Sequence, residues 1–188
     1  MENKMANPAP LGLMGFGMTT VLLNIHNTGA FPMSSIILAM GIFYGGLAQI
    51  LAGIMDYRNG NTFGTTAFTS YGAFWWTLVF AVYFNGKLGI PAFKSGFFAW
   101  YLFFWGIFTL FMWIGTFKTN RALQTVFLTL WILFFMLAAG EAFGLGNAWK
   151  VITGIEGIFC GLSAMYASLA FVLNETRGKT ILPVGEIH

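Results

Sequence analysis

Residues 7–20 read NPAPLGLMGFGMTT and open the first apolar segment with rigid, polar and very small residues together. Proline fixes its φ angle and lacks an N–H, so Pro8 and Pro10 suit the first turn of a helix, where amide donors have no partner within the helix. Asn7 is placed to cap that helix. Three side chains then recur every four residues on one face of it: Phe16, Thr20 and Asn24. A ring, a hydroxyl and an amide on one face indicate the wall of a passage, because lipid alone would not favour that mixture.

The composition around this stretch is that of an integral membrane protein. Of 188 residues, 57% are hydrophobic and only 8% are charged, against about 25% charged residues in soluble domains. Asp, Glu, Lys and Arg are missing from five stretches, 5–55, 59–86, 95–117, 122–140 and 157–174. About 20 apolar residues cross a bilayer as a helix, and turn-forming residues at 24–35 divide the first stretch in two. The sequence therefore predicts an all-α polytopic membrane protein, a single domain over residues 1–188 with six transmembrane helices near 10–25, 34–56, 66–84, 96–117, 121–141 and 149–173.

The basic residues predict how these helices are oriented. One side of the predicted membrane carries Lys4, Arg58, Lys118, Arg121, Arg177 and Lys179, and the other carries Lys87, Lys94 and Lys150. The side with six basic residues faces the cytoplasm by the positive-inside rule, so both termini are predicted to be cytoplasmic. The net charge of +3 is spread over the loops, so it does not predict a nucleic-acid surface. Two acid–base pairs at predicted helix ends, Asp56 with Arg58 and Glu175 with Arg177, are interpreted as solvated boundary charges.

The sequence contains no recognisable catalytic or cofactor motif. The two histidines, His26 and His188, are far apart, and the single cysteine, Cys160, lies in an apolar run and is interpreted as a core residue. We therefore expect neither an enzyme nor a metal or other cofactor. A haem-binding membrane subunit would need paired intramembrane histidines. Transport is the function that fits this composition.

Small residues recur at helical spacing in the second and sixth segments. They are Gly41, Gly45 and Gly53 in the former, and Gly157, Gly161, Ala164 and Ser168 in the latter. Such spacing lets helix backbones approach closely in a membrane, so both helices are predicted to pack in the interior. Gln49 lies among the first set, and its amide must face protein or water. It either lines the substrate pathway or forms an interhelical hydrogen bond.

Two further groups are candidates for the pathway. Thr66, Thr69 and Ser70 precede Tyr71 and could coordinate a small carboxylate, although such hydroxyls often bond their own helix backbone. Glu156 is the one acid well inside a predicted span. In hydrocarbon or a narrow vestibule it would be a possible proton site. If the helix begins late, it is instead an interfacial carboxylate near Lys150, which is the interpretation that the sequence favours. The bulky residues at 97–105 are expected to face lipid or a neighbouring subunit.

The motif at Asn7–Leu13, NPAPLGL, resembles the signature of the acetate uptake transporter family, the succinate/acetate permeases (SatP/YaaH). Similar segments follow along most of the chain: GIFYGGLAQI at 41–50, GNTFGTTAFTSYGAFWW at 60–76 and LPVGE at 182–186. The resemblance implies a six-helix subunit with its own pore, assembled as a homohexamer in the bacterial cytoplasmic (inner) membrane, which carries acetate and succinate with protons. It also implies a constriction formed by Phe16, Tyr71 and Leu130, a substrate-selecting role for Ala164 and a required motif beginning at Asn7.

Two transport mechanisms are compatible with these residues. A carboxylic acid of pKa about 4 to 5 is almost fully ionised at neutral pH, so crossing an aromatic constriction requires dehydration, protonation or both. This favours a permease, symporter or anion channel for short carboxylates that is linked to protons. The alternative is a passive channel for another small solute such as formate, ammonia, urea or water.

Overall fold

The computed structural model describes residues 5–187 and contains six long helices within that range. They are α1 (Ala9–Asn27), α2 (Ser35–Arg58), α3 (Thr62–Phe84), α4 (Ser95–Gly115), α5 (Arg121–Phe143) and α6 (Asn147–Arg177). Each matches one predicted segment, with ends that differ by at most four residues. Lys4 and His188, which entered the sequence argument, lie outside the described residues.

Five of these helices, α2 to α6, are long and apolar enough to cross a membrane. Helix α1 has 19 residues but is not one of these five. It is less apolar because it contains Pro10, three glycines and several polar side chains. Those residues give α1 a different kind of surface from the other helices. We therefore expect other helices, rather than lipid, to surround much of α1.

Helix α1 lies between α2 and α6 and contacts both at glycines. A methyl group built on Gly17 would lie 2.7 Å from the carbonyl oxygen of Gly161 on α6, and one built on Gly161 would lie 2.7 Å from that of Gly17. On the other side, a methyl group on Gly15 would lie 2.6 Å from the carbonyl oxygen of Tyr44 on α2. The small residues of α2 and α6 thus do mediate close packing. The glycines of α6 pack against α1, whereas on α2 Gly45 packs against both α1 and α3, and Gly41 and Gly53 pack against α3.

Helix α2 departs from α-helical geometry in its middle. Residues Phe43–Ala48 form a π-helical segment that ends directly before Gln49, which the sequence did not predict. The indole nitrogen of Trp76 on α3 donates to the carbonyl of Ile42, at the start of this segment, at 2.9 Å. Such π-helical turns occur often at functional sites, and this one positions the Gln49 side chain.

The C-terminal segment completes the start of α5. The amides of Arg121 and Ala122 donate to the carbonyls of Gly185 and Val184 at 2.8 and 2.9 Å. The next two amides donate to Asn120, one to its side chain and one to its carbonyl. The amides of Arg121, Ala122 and Leu123, which have no partner within the helix, are therefore all satisfied at this end.

Asp56 near the end of α2 is buried, and its interpretation as a solvated boundary charge is wrong. Its side chain is only 2% exposed and accepts a hydrogen bond from Nδ2 of Asn61 at 3.0 Å. The Oδ1 atom of Asn61 in turn accepts from the amide of Gly64. Asp56 therefore orients the side chain that caps α3.

The aromatic residues of α4 divide between the subunit surface and the bundle. Phe97, Trp100 and Phe104 are exposed, as the sequence predicts for residues 97–105. Within the same stretch that prediction is wrong for Phe98, Tyr101 and Trp105, which are partly buried and pack against the core. The buried residues of α4 are Ala99, Leu102, Gly106 and Thr109.

Candidate functional site

Phe16, Tyr71 and Leu130 lie in one buried cluster in the middle of the bundle. They come from α1, α3 and α5 and are 6%, 3% and 3% exposed. The ring centroids of Phe16 and Tyr71 are 6.2 Å apart. Ala164 of α6 is fully buried in the same cluster. The fold thus brings together four side chains that were selected for the constriction and for substrate choice.

Tyr71 is surrounded by aromatic rings and has one polar partner. The ring centroids of Phe108, Trp105 and Phe127 lie 5.5 to 6.1 Å from its own. Its hydroxyl donates to Oγ1 of Thr109 at 2.9 Å. Thr109, which is fully buried, donates in turn to the carbonyl of Trp105 at 2.7 Å. The hydroxyl can therefore reach a substrate only by giving up Thr109.

Thr109 was missed by the sequence analysis. It is the one Ser or Thr between Ser95 and Thr116, within a charge-free and strongly aromatic stretch. That isolation is the one signal that could have identified it, since a buried hydroxyl needs a partner.

Beyond Phe16, towards its C-terminal end, α1 presents polar groups to α6. Asn24 is 1% exposed, and its Nδ2 donates to the carbonyl of Thr20 at 2.9 Å. Its Oδ1 accepts from Nδ2 of Asn27 at 3.0 Å. The Oγ1 atom of Thr20 is buried and has no hydrogen-bond partner within residues 5–187. The absence of a side chain at Gly157 leaves the space that Asn24 occupies.

Gln49 is buried on α2 directly after the π-helical segment. Its side chain is 1% exposed, and its Oε1 atom has no partner in the described part of the chain. A buried acceptor without a donor costs roughly 1–3 kcal/mol. The sequence left two interpretations of Gln49 open, a place in the substrate pathway or an interhelical hydrogen bond. Oε1 makes no such bond to the described residues, so the contacts do not support the second interpretation for this oxygen.

Asn7 lies at the start of α1 and is exposed. Its Oδ1 accepts from the amide of Ala9 at 3.0 Å, so the side chain satisfies one of the first donors of the helix, as its position predicts. The same end of α1 is fixed by Ser168 of α6, whose hydroxyl donates to the carbonyl of Pro10 at 2.7 Å. Asn7 therefore positions α1 and lies outside the central cluster.

Thr66, Thr69 and Ser70 do not lie on the buried face of α3. Thr66 and Thr69 are exposed on the subunit and Ser70 is half-buried, whereas the buried face carries Tyr71 and Phe74. Thr69 packs against Gly53 of α2. Helical spacing turns these three hydroxyls away from the cluster, so the structure does not bring them to the predicted pathway.

Glu156 lies well inside α6, since that helix begins at Asn147. The interpretation that a late helix start makes Glu156 interfacial is therefore wrong. Both of its carboxyl oxygens are buried and have no partner in the described structure. Cys160 follows one turn later, fully buried, with its sulfur 3.8 Å from the carbonyl of Val126 on α5. This face of α6 therefore points towards α5, inside the bundle.

Two neighbouring cavities lie between one end of the bundle and the cluster. The outer one, the vestibule, has a volume of about 430 Å³ and lies where α1 and α5 end and α6 begins. The inner cavity, of about 170 Å³, extends to Phe74 and Trp75. Three residues line both cavities and lie between them: Asn27, Leu137 and Glu141. Phe74 lies one helical turn from Tyr71, so the inner cavity ends against the aromatic cluster.

This arrangement suits the controlled passage of a small solute. An apolar barrier with one hydroxyl follows a cavity that is open at one end. Within residues 5–187 no group of three or more His, Cys, Asp or Glu side chains is placed to hold a metal ion.

Comparison with known proteins also points to the transport of a small solute. Residues 1–188 match the GPR1/FUN34/yaaH family. The chain is 57% identical over 189 residues to the succinate-acetate/proton symporter SatP of Escherichia coli (strain K12), covering 100% of this chain and 99% of that protein. It is 35% identical over 199 residues to acetate permease A of Emericella nidulans, covering 96% of this chain and 66% of the relative. A solved structure of the bacterial acetate channel SatP superimposes with a TM-score of 0.93 at 56% identity, over 97% of this chain and 100% of that one.

Proposed function

The chain belongs to the GPR1/FUN34/yaaH family, and we propose that it is a membrane permease for the short carboxylates acetate and succinate, with transport linked to protons. Its similarity to a succinate-acetate/proton symporter and to an acetate channel supports this function. These relatives are transporters and channels, and this chain is a transporter rather than an enzyme.

The observation that carries the proposal is the buried cluster at the end of the inner cavity. Phe16, Tyr71 and Leu130 come from three different helices and close the space between them. They form the gate. Ala164 adds a fourth, minimal side chain that is fully buried in the same cluster.

The polar groups beside the gate favour the neutral acid. Moving an ionised carboxylate out of water is far more costly than moving a neutral hydroxyl-bearing group. Gln49 and Thr20 each present a buried oxygen that accepts no hydrogen bond from the described residues. Such acceptors suit the O–H of a protonated acid. Together with Asn24 they line the proposed pathway, and a proton that travels on the substrate links transport to the proton gradient.

Glu156 is the proposed protein-borne proton site. A buried carboxyl group whose oxygens accept no hydrogen bond from the described residues is most stable when it is neutral, and Glu156 lies on the face of α6 that points towards α5. Thr66, Thr69 and Ser70 are left out of the proposed pathway because they lie off the buried face of α3. Thr66 is available to lipid or to a neighbouring subunit.

For the membrane topology we propose six crossings with both termini in the cytoplasm of a bacterium, in its inner membrane. The distribution of Lys and Arg supports this orientation, and α1 crosses despite its polar residues because α2 and α6 flank it. The exposed rings of α4 are compatible with lipid and with the interfaces of a homohexamer. Each subunit has its own pore.

Uptake of labelled acetate into proteoliposomes tests the function. We expect uptake to rise when the outside is acidified and to exceed the rate in protein-free liposomes, which reports diffusion of acetic acid through lipid. Competition by unlabelled succinate should reduce it. If protein and protein-free vesicles take up acetate equally, while urea, formate or ammonia passes faster with protein, the chain is instead a passive channel for another small solute.

A further inference from the structure

The π-helical segment of α2, Phe43–Ala48, is closely packed between glycines of two neighbouring helices. A methyl group built on Gly15 of α1 would lie 2.6 Å from the carbonyl oxygen of Tyr44, and one built on Gly72 of α3 would lie 2.7 Å from that of Gly46. Both neighbours therefore contact the backbone of the segment directly. Its shape is matched to the surfaces of α1 and α3.

Trp76 of α3 contacts this segment at two points. Its indole Nε1 donates to the carbonyl of Ile42, the residue directly before the segment, at 2.9 Å. The indole also lies against Gly46, where an added methyl group would collide with its Cδ1 and Nε1 atoms. A side chain that inserts into the hydrogen-bond ladder of a helix is one recognised cause of local departure from α-helical geometry. Trp76 therefore stabilises the π-helical form of α2.

The direction of Gln49 depends on this segment, which it directly follows. A π-helical bond spans one residue more than an α-helical bond. If the segment became α-helical while the first half of α2 stayed fixed, every later residue would turn about the axis by about one residue, roughly 100°. Gln49 would then take the direction of Ile50, which contacts Gly72 of α3. Its unpaired oxygen would leave the proposed pathway.

We propose that Trp76 is a positioning residue for transport: its indole maintains the π-helical segment and thereby keeps the Gln49 side chain in the substrate pathway. Trp76 is 44% exposed, whereas Gln49 is 1% exposed, so Trp76 acts on the pathway through α2 and not by touching the substrate. The inference rests on the proposed function, in which the Gln49 oxygen accepts the O–H of a protonated acid.

Equilibrium exchange of labelled acetate across proteoliposomes, with the same pH on both sides, tests the effect on transport. We expect Trp76→Phe, which keeps a ring but removes the N–H, to raise the half-saturating acetate concentration about two- to tenfold, the range of one neutral hydrogen bond. Trp100→Phe, which alters an exposed ring of α4, is the matched control and should leave this concentration unchanged. In a Gln49→Leu background, Trp76→Phe should have no further effect. Equal values for Trp76→Phe and Trp100→Phe, or the same rise with and without Gln49, overturn the inference.

Deletion of Gly46 is the second test. The deletion removes the extra residue of the segment, so α2 can be α-helical throughout while Gln49 keeps its present direction, and Gly45 takes the place beside the indole. Trp76→Phe should therefore have no effect on acetate exchange in protein that carries the deletion. If Trp76→Phe alone does not fold, recovery of folded protein on deleting Gly46 supports the inference. Failure to recover it, or a Trp76→Phe effect of unchanged size, overturns the inference.

A structure of Trp76→Phe by cryo-electron microscopy reports on the segment without any transport measurement. The apparent affinity falls in proportion to the fraction of the binding-competent form, so a twofold rise in the half-saturating concentration means that about half of the subunits hold the α-helical form. Residues 43–48 should then be α-helical in those subunits, with Gln49 turned towards Gly72. An unchanged backbone overturns the inference. Wild-type protein that exchanges no acetate overturns the proposed function instead, and this structure distinguishes the two failures.

Discussion

The hydrogen bond between Tyr71 and Thr109 allows the structural and transport roles of the gate to be separated. Tyr71→Phe and Thr109→Val remove this 2.9 Å bond from its two ends. In Tyr71→Phe the Thr109 hydroxyl still donates to Trp105, so no donor is left unpaired and we expect a stability loss of about 1 kcal/mol. In Thr109→Val the Tyr71 hydroxyl loses its acceptor in a buried site, at a cost of roughly 1–3 kcal/mol.

The two substitutions should change the transport rate differently, although both lower the stability of the protein. A hydrogen bond to a neutral acid contributes roughly 0.5–1.5 kcal/mol. If the Tyr71 hydroxyl donates to the carbonyl oxygen of the protonated acid at the gate, Tyr71→Phe should slow acetate exchange about 2- to 10-fold. Thr109→Val frees the same hydroxyl from its competitor, so its exchange rate should equal or exceed that of the wild type.

Initial exchange rates in proteoliposomes and thermal unfolding in detergent measure the two effects on the same preparations. The decisive comparison is between the two variants, since both lose the same internal bond. Equal slowing in Tyr71→Phe and Thr109→Val would show that the bond only supports the gate's shape. The direct role of the hydroxyl would then be refuted.

Three further substitutions test other parts of the structure. Leu130→Ala should widen the gate and raise lactate uptake relative to acetate, while costing about 2–5 kcal/mol of stability; an unchanged ratio removes Leu130 from the gate. Gly17→Ala should destabilise the protein in detergent by about 1–3 kcal/mol, because its methyl group would lie 2.7 Å from the backbone oxygen of Gly161, whereas Gly96→Ala, with no atom within 4 Å, should not. Glu156→Gln should reduce uptake driven by an inward proton gradient but spare exchange at equal pH, and a gradient response like that of the wild type would show that Glu156 carries no coupled proton.

The helices and the central cluster could be predicted because membrane burial leaves simple signals. Long charge-free stretches fix the number of helices, and the paired prolines fix the start of α1. The spacing of Phe16, Thr20 and Asn24 predicted a polar face of α1, and Thr20 and Asn24 are buried in the structure. The resemblance to a known family added Tyr71 and Leu130, which spacing alone did not distinguish from ordinary packing.

Contacts between distant segments could not be predicted in the same way. Asp56 looked solvated because it is close to Arg58 in sequence, but Asn61 and the start of α3 cover it. The hydroxyls at Thr66 and Thr69 were selected by type, whereas the direction in which they point depends on where α3 begins and on which face α2 occupies. The vestibule joins the ends of three helices, so Glu141 and Lys150 had no local pattern to link them.

The return of the C-terminal segment to the start of α5 bears on how the protein is made. The carbonyls of Val184 and Gly185 reach the amides of Arg121 and Ala122, about 60 residues earlier in the chain. During synthesis, α5 therefore enters the bilayer with two unsatisfied donors at its end and acquires their partners only after α6 has been translated. A chain that ends before Val184 would lack both partners, so we expect the first turn of its fifth helix to fray.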